Sequence, residues 1–199
     1  MLKRFFDLFF TVPGIIIIFP FFAIIALWIK IDSPGPVFYR QERLGKEGKM
    51  FKIYKFRTMV ANADKIGGAI TIGNDSRITR SGRFLRKYKL DELPQLFNVL
   101  IGEMSLVGPR PEVKKYVDMY NAEQRAVLDL LPGITDPASI KYRNESELLA
   151  ARDYKSTAID PEDAYINEII PDKIKLNLEY AKRANLCEDF KVIIRTIFS

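Results

Sequence analysis

Two adjacent carboxylates, Asp91 and Glu92, stand inside KYKLDELPQLFNVLIGEMSLVGPRP (87–111), directly after a run of cations. An acid pair among cations suits phosphoryl transfer. One carboxylate can attack phosphorus, its neighbour can assist a metal or a proton, and the cations can hold phosphate oxygens. Arg86 lies five residues upstream of Asp91, and Arg110 sits in the VGPRP turn. A plainer role competes. Leu93, Leu96, Phe97 and Leu100 fall at i, i+3, i+4 and i+7, one apolar stripe of a short helix that stops near Gly102. Asp91 then stands where an N-cap belongs, with Pro94 in the first turn, where its missing N–H costs nothing. On this pattern alone, capping is the favoured role of Asp91. The same helix N-terminus would also attract phosphate through its free N–H groups.

Composition narrows the chemistry. The chain has 199 residues, enough for one domain with a real core, and carries 31 Lys+Arg against 25 Asp+Glu, a net charge of +6. That balance favours anionic partners: phosphorylated metabolites, acidic lipid or nucleic acid. There is no histidine, and Cys187 is the single cysteine. Histidine bases, an intramolecular disulfide and a cysteine zinc site are therefore excluded. A bound metal would be a hard one with oxygen ligands, Mg²⁺ beside phosphates above all.

Leu8 to Ile29 forms 22 residues without a charge, long enough to span a hydrocarbon core. Two features argue against a plain span. Pro20 interrupts the run, where it removes a backbone hydrogen bond and kinks or breaks a helix. Cations also flank both sides: Lys3 and Arg4 before, then Lys30, Arg40, Arg43 and Lys46 after. The positive-inside rule gives no polarity there. A helix that enters one leaflet, bends near Pro20 and returns satisfies both facts. A straight span with a tolerated proline is the alternative on these grounds.

The remaining elements must position the acids. VFYRQER and MFKIYKFRT read as a hairpin around residues 44–49, with Phe51, Ile53, Lys55 and Arg57 on one face. Those cations either enter an anion site or snorkel at the sheet's end. Residues 61–76 read as a flexible loop. Arg77, Arg80, Arg83 and Arg86 recur every three residues, with a helix expected from Ser81 onward. Near the C-terminus Leu178, Leu186, Phe190, Ile193, Ile194 and Ile197 give helical apolar faces, which either pack on the domain or lie on a membrane surface, packing being the default.

Taken in order, the proline-interrupted apolar segment, DSPGPVFYRQERLG, FKIYKFRTM, the long DELPQLFNVL…MSLVGPRP block and LPGIT resemble the bacterial sugar transferases, the monotopic phosphoglycosyl transferases. The resemblance runs from about Lys3 to Ile197. It implies an α+β, mainly helical fold: a re-entrant membrane helix over 1–32, then a catalytic unit over 33–199 with a β-hairpin, a compact helical core and interfacial amphipathic helices. It implies transfer of a sugar-1-phosphate from a nucleoside-diphosphate sugar, a UDP-sugar by family habit, to undecaprenyl phosphate. The nucleoside monophosphate, UMP, leaves, and glycoconjugate assembly begins. Mg²⁺ and an aspartyl phosphosugar intermediate belong to this implied mechanism. Carried over by motif, Asp91 is the nucleophile and Glu92 its partner, both near the metal. Lys55, Arg86 and Arg110 match cations near the site, Arg143 matches an arginine of a GRN segment, and Asp189 matches an acidic supporting position. Pro20 matches the break of the re-entrant helix. The implied location is the cytoplasmic face of the bacterial inner membrane, with membrane lipid as a partner, no nucleic acid, and self-association open. Two departures stand out: Phe19 where serine often precedes the breaking proline, and Asp136-Pro137-Ala138-Ser139 after LPGIT. The competing reading is a non-catalytic membrane-bound module that binds anionic lipid or nucleic acid through its basic face. It gives no reason for the acid pair or the VGPRP turn.

Overall fold

Period-two alternation on both sides of a glycine-containing turn makes a hairpin, and the computed structural model contains it. The structure describes residues 2–63, 66, 71, 75–151 and 160–198. Strand β1 (Phe38–Leu44) pairs antiparallel with β2 (Met50–Phe56), Leu44 opposite Met50 and Tyr39 opposite Lys55. Alternation ends at Phe56, so Arg57 does not enter an anion site. It is buried, and its guanidinium donates to the carbonyls of Ser33 (2.7 Å) and Pro34 (2.9 Å). These lie just past the first helix, where carbonyls lack helical partners. Most of the expected 61–76 loop falls outside the described residues.

The apolar run forms α1 (Leu2–Asp32), one helix with Pro13 and Pro20 inside it. It is fastened to the rest of the chain near both ends. Toward its start, Arg4 donates to the carbonyls of Val99 and Leu100, and Asp7 accepts from Ser105 Oγ and Leu106 N, both at 3.0 Å. Toward its end, Phe22, Ile25 and Ile29 pack with Phe56 and Leu85. Asp32 accepts from the backbone N and Oγ of Ser81, each at 2.8 Å, in the first turn of α2 (Arg80–Lys87). Between Thr11 and Phe22 no side chain is buried, and Ile16, Ile17, Phe19 and Phe21 are exposed.

A 3₁₀ turn (Leu90–Glu92) leads into α3 (Gln95–Ile101), which ends at Gly102 with φ +93°. Strand β3 (Ser105–Val107) follows, then the short α4 (Lys114–Val117) and a second 3₁₀ segment (Gln124–Asp129). Strand β4 (Gly133–Thr135) pairs parallel with β3, Ser105 opposite Gly133 and Val107 opposite Thr135. The sequence reads these stretches only as turns, because three residues are too few to show a period. Glycine is required where they meet: a Cβ on Gly108 or Gly133 would sit on the opposing backbone.

Helices α5 (Pro137–Lys141), α6 (Glu145–Ala151) and α7 (Pro161–Ala164) come next. A π-helical turn (Tyr165–Ile169) joins α7 to α8 (Ile170–Arg183), and α9 (Leu186–Phe198) closes the described chain. The largest apolar cluster joins Leu44, Tyr116, Val117, Tyr120 and Val127 to Tyr165, Ile170 and Ile174. The default of packing holds for only part of α9. Val192 is buried and Ile193 packs beside it, while Phe190, Ile194, Ile197 and Phe198 face outward.

Candidate active site

Lys89 makes the turn that presents the acid pair. Its φ of +56° is left-handed, an uncommon conformation for a residue with a Cβ. The chain redirects there and enters the 3₁₀ turn, leaving Asp91 only 7% exposed. Helix α3 starts four residues after Asp91, with Pro94 as its N-cap residue and no side chain capping it. The capping role expected for Asp91 is therefore overturned. The left-handed residue and the 3₁₀ turn occupy the positions expected to open the helix. Asp91 Oδ1 is instead buried with no hydrogen-bond partner among the described residues. A buried carboxylate oxygen in that condition costs free energy, and such groups concentrate where chemistry needs them.

Glu92 is in the opposite condition. Lys55 Nζ donates to its Oε1 at 2.8 Å, Arg110 Nη1 donates to Oε2 at 2.9 Å, and Arg110 Nη2 donates to Oε1. Burial by itself would raise the Glu92 pKa, but Arg110 and then Lys55 outweigh it and hold the carboxyl well below the usual range. For Asp91 burial is the leading influence and the Glu92 charge the next. Together they push it up against the pull of Lys55 and Arg86. Adjacent acids are thus driven apart, one committed to cations and one uncommitted.

Three elements bring the cations in. Lys55 comes from β2, and burial lowers its pKa against the opposing charge of Glu92. Arg86 comes from the last turn of α2, its Nε on Thr58 Oγ1 at 2.9 Å. Arg110 is placed by the β3–β4 contact, where Gly108 N donates to Thr135 O and Gly133 N to Pro109 O, both at 3.0 Å.

Asn98 fixes the hairpin to α3 and was not singled out by the sequence reading. Its Oδ1 accepts from Tyr54 N at 3.0 Å, and its Nδ2 donates to Lys52 O (2.9 Å) and Glu103 Oε2 (2.8 Å). Its burial shows only in the fold, and an asparagine between Phe97 and Val99 carries no signal of that in the sequence. Asn98→Ala leaves buried polar groups unpaired, a loss of about 3 kcal/mol. Thermal unfolding should drop by roughly 6–12 °C for a chain of this size. Melting at the wild-type temperature would remove Asn98 from this role.

The acid pair opens onto a groove of about 1220 Å³. Lys55, Arg86, Arg110 and Arg143 line it together with Asp91 and Glu92, so the structure gathers the expected cations on one surface. Arg143 reaches it from the turn after α5. A second polar cluster on the groove wall was not expected: Tyr165 donates to Glu112 Oε1 at 2.5 Å, and Arg43 donates to Oε2 at 3.3 Å. Asp189 is not among the groove's lining residues. It accepts from Lys3 and from the Tyr180 hydroxyl, tying α9 to the start of α1. Asp136, in the departure after LPGIT, caps α5 by accepting from Ser139 N at 2.9 Å.

The donor set limits any metal. Among the described residues no group of three His, Cys, Asp or Glu side chains could hold one. Asp91 offers an uncommitted oxygen, whereas both Glu92 oxygens are taken by cations. This arrangement fits Mg²⁺ only where phosphate oxygens of a substrate complete its shell, which is its common habit.

Comparison with known proteins gives the family. The bacterial sugar transferase family matches residues 1–199. The chain belongs to that family. It is 36% identical over 199 residues to the UDP-N-acetylgalactosamine-undecaprenyl-phosphate N-acetylgalactosaminephosphotransferase of Aeromonas hydrophila, covering 98% of this chain and 43% of that protein. It is also 36% identical over 203 residues to the UDP-glucose:undecaprenyl-phosphate glucose-1-phosphate transferase of Escherichia coli, covering 100% of this chain and 40% of the relative. With the undecaprenyl-phosphate galactose phosphotransferase of Salmonella typhimurium it shares 42% over 160 residues, 72% of this chain and 33% of that one. The chain thus spans less than half the length of these three relatives, whose names carry three different sugars.

Proposed function

We propose that this bacterial sugar transferase moves a sugar-1-phosphate from a UDP-sugar to undecaprenyl phosphate and releases UMP. The observation that carries the reading is the uncommitted, buried oxygen of Asp91 beside a Glu92 neutralised by Lys55 and Arg110. Asp91 attacks the donor's β-phosphorus. The bond between that phosphorus and the bridging oxygen breaks, and UMP leaves with the electron pair. A phosphate oxygen of undecaprenyl phosphate then attacks the aspartyl phosphosugar, restoring the Asp91 carboxylate and forming the lipid diphosphosugar. Arg86, Arg110 and Lys55 hold phosphate oxygens, with Arg143, which lines the same groove, contributing. Glu92 keeps Lys55 and Arg110 in place. Mg²⁺, held by Asp91 and the donor diphosphate, supplies charge neutralisation when bound. The direct test is UMP release on adding a UDP-sugar, undecaprenyl phosphate and Mg²⁺. Anionic-vesicle binding with no UMP release from any UDP-sugar would favour the non-catalytic alternative.

The proposed location is the cytoplasmic face of the inner membrane, with α1 re-entering the leaflet it leaves. Residues 97–100 of α3 touch both halves of α1: Phe97 stacks edge-on with Phe22, and the carbonyls of Val99 and Leu100 receive Arg4. Arg4 and Phe22 would lie about 27 Å apart along a straight helix. Contact of one helical turn with both supports a bend in the Pro20 region, and the exposed apolar stretch between them suits acyl chains. With Cys187 removed, single cysteines at Lys3 and Arg40 should both resist an impermeant thiol reagent on spheroplasts and both react in inverted vesicles. Opposite accessibility would establish a span.

A further inference from the structure

Asn177 is a polar residue that the mechanism above leaves unused. It lies on α8, one turn beyond Ile174, on the face that packs into the largest apolar cluster. It is only 4% exposed, yet its Oδ1 is buried without a hydrogen-bond partner, and no described residue accepts from its Nδ2. Its side chain lines the same groove as the acid pair, in company with Ile174, Val127 and Tyr120. The Tyr120 hydroxyl likewise has no hydrogen-bond partner among the described residues. A buried amide without a partner is rare and costly, so its retention in a groove wall points to a partner that arrives with a ligand.

The chemistry of that partner follows from the wall. A primary amide offers an acceptor and two donors side by side. Lys173, one turn before Asn177 on α8 and also on the groove lining, is ion-paired to Glu145, and Ile174, Val127 and Tyr120 are apolar or aromatic, so phosphate belongs with Lys55, Arg86 and Arg110 at the acid pair. A flat, neutral group with its own adjacent acceptor and N–H donor matches Asn177 on both counts. We propose that Asn177 is a donor-recognition residue that pairs with a neutral amide or imide edge of the nucleotide sugar, with Tyr120 beside it as an aromatic wall. The proposal rests on the UDP-sugar reading above. Such an edge occurs in two parts of a donor, the pyrimidine base and an acetamido group on the sugar, and affinities separate them.

The test is the affinity of full-length protein in detergent for UMP, UDP-glucose and UDP-N-acetylglucosamine, by calorimetry, in wild type and Asn177→Leu. Leucine keeps the branched shape and the number of side-chain heavy atoms, though it is larger, and removes the unpaired amide, so the variant should melt near the wild-type temperature. If the base is the partner, all three ligands should weaken by a similar factor of about ten. If the acetamido group is the partner, only UDP-N-acetylglucosamine should weaken by that factor. A Leu variant that does not fold passes the test to Asn177→Asp, which keeps the shape, loses the N–H donors and should show the same pattern. Unchanged affinity for all three ligands in a folded variant would overturn the proposal. Wild-type protein that binds none of them would overturn the transferase reading, and this inference with it.

Discussion

Replacing Asp91 with asparagine should reduce turnover by about a thousandfold or more while the protein stays folded, because an amide cannot serve as the attacking carboxylate. Stability should move the other way. Burial and the Glu92 charge raise the Asp91 pKa in the folded protein, so the ionised form is disfavoured there relative to the unfolded chain. That penalty is absent well below the unfolded value near 3.8, grows as pH rises, and is complete above the raised folded value. A neutral asparagine escapes it. Asp91→Asn should therefore unfold at or above the wild-type temperature at neutral pH, the trade expected of a residue kept for chemistry. A folded variant with near-normal turnover would remove Asp91 from the reaction.

Arg110 and Arg86 should fail in different ways. Both are assigned to phosphate, so alanine at either should lower turnover about tenfold or more. Arg110 also makes the two-point contact with Glu92. Its removal leaves a buried carboxylate with Lys55 alone and should cost about 3 kcal/mol of stability. Arg86 contacts Thr58 through Nε and makes no ion pair among the described residues, so Arg86→Ala should cost far less. The pH dependence separates the two as well. The Glu92 pKa is depressed on folding, so its stabilising contribution is present above the unfolded value near 4.5 and is lost as pH falls through the lower folded value. That acid-limb loss should shrink in Arg110→Ala and persist in Arg86→Ala. Equal stability losses and identical acid limbs in the two variants would contradict the assignment of Arg110 as the Glu92 brace.

The difference between these residues explains what the sequence could and could not reveal. Asp91, Glu92, Lys55, Arg86 and Arg110 were legible because charged residues interrupt apolar or turn patterns, and the DELPQLFNVL…VGPRP block is long. The hairpin was legible because seven-residue strands show alternation. The geometry of the pair was not. Nothing in a lysine signals the left-handed turn at Lys89, and with that turn hidden, the pattern placed Asp91 at the start of a helix that begins at Gln95. The bracing role of Glu92 was hidden for a related reason, since it depends on Arg110 arriving through the β3–β4 contact between two stretches too short for any period. Asn98 and the Glu112–Tyr165 pair act across long sequence separations that no local pattern carries. The apolar stripe of α3 was visible, but its orientation was not. Leu100 and Ile101 are exposed while Asn98 and Val99 are buried, because this helix meets α1 on one side and the hairpin on the other.

The central claim is that Asp91 carries the phosphosugar between donor and lipid. Peptide mass spectrometry of protein incubated with a UDP-sugar and Mg²⁺, without undecaprenyl phosphate, tests it most directly. The peptide containing Asp91 should gain the mass of one phosphosugar in wild type and remain unmodified in Asp91→Asn. An unmodified Asp91 peptide in protein that turns over fully once undecaprenyl phosphate is added would contradict the account and point to direct transfer from donor to lipid.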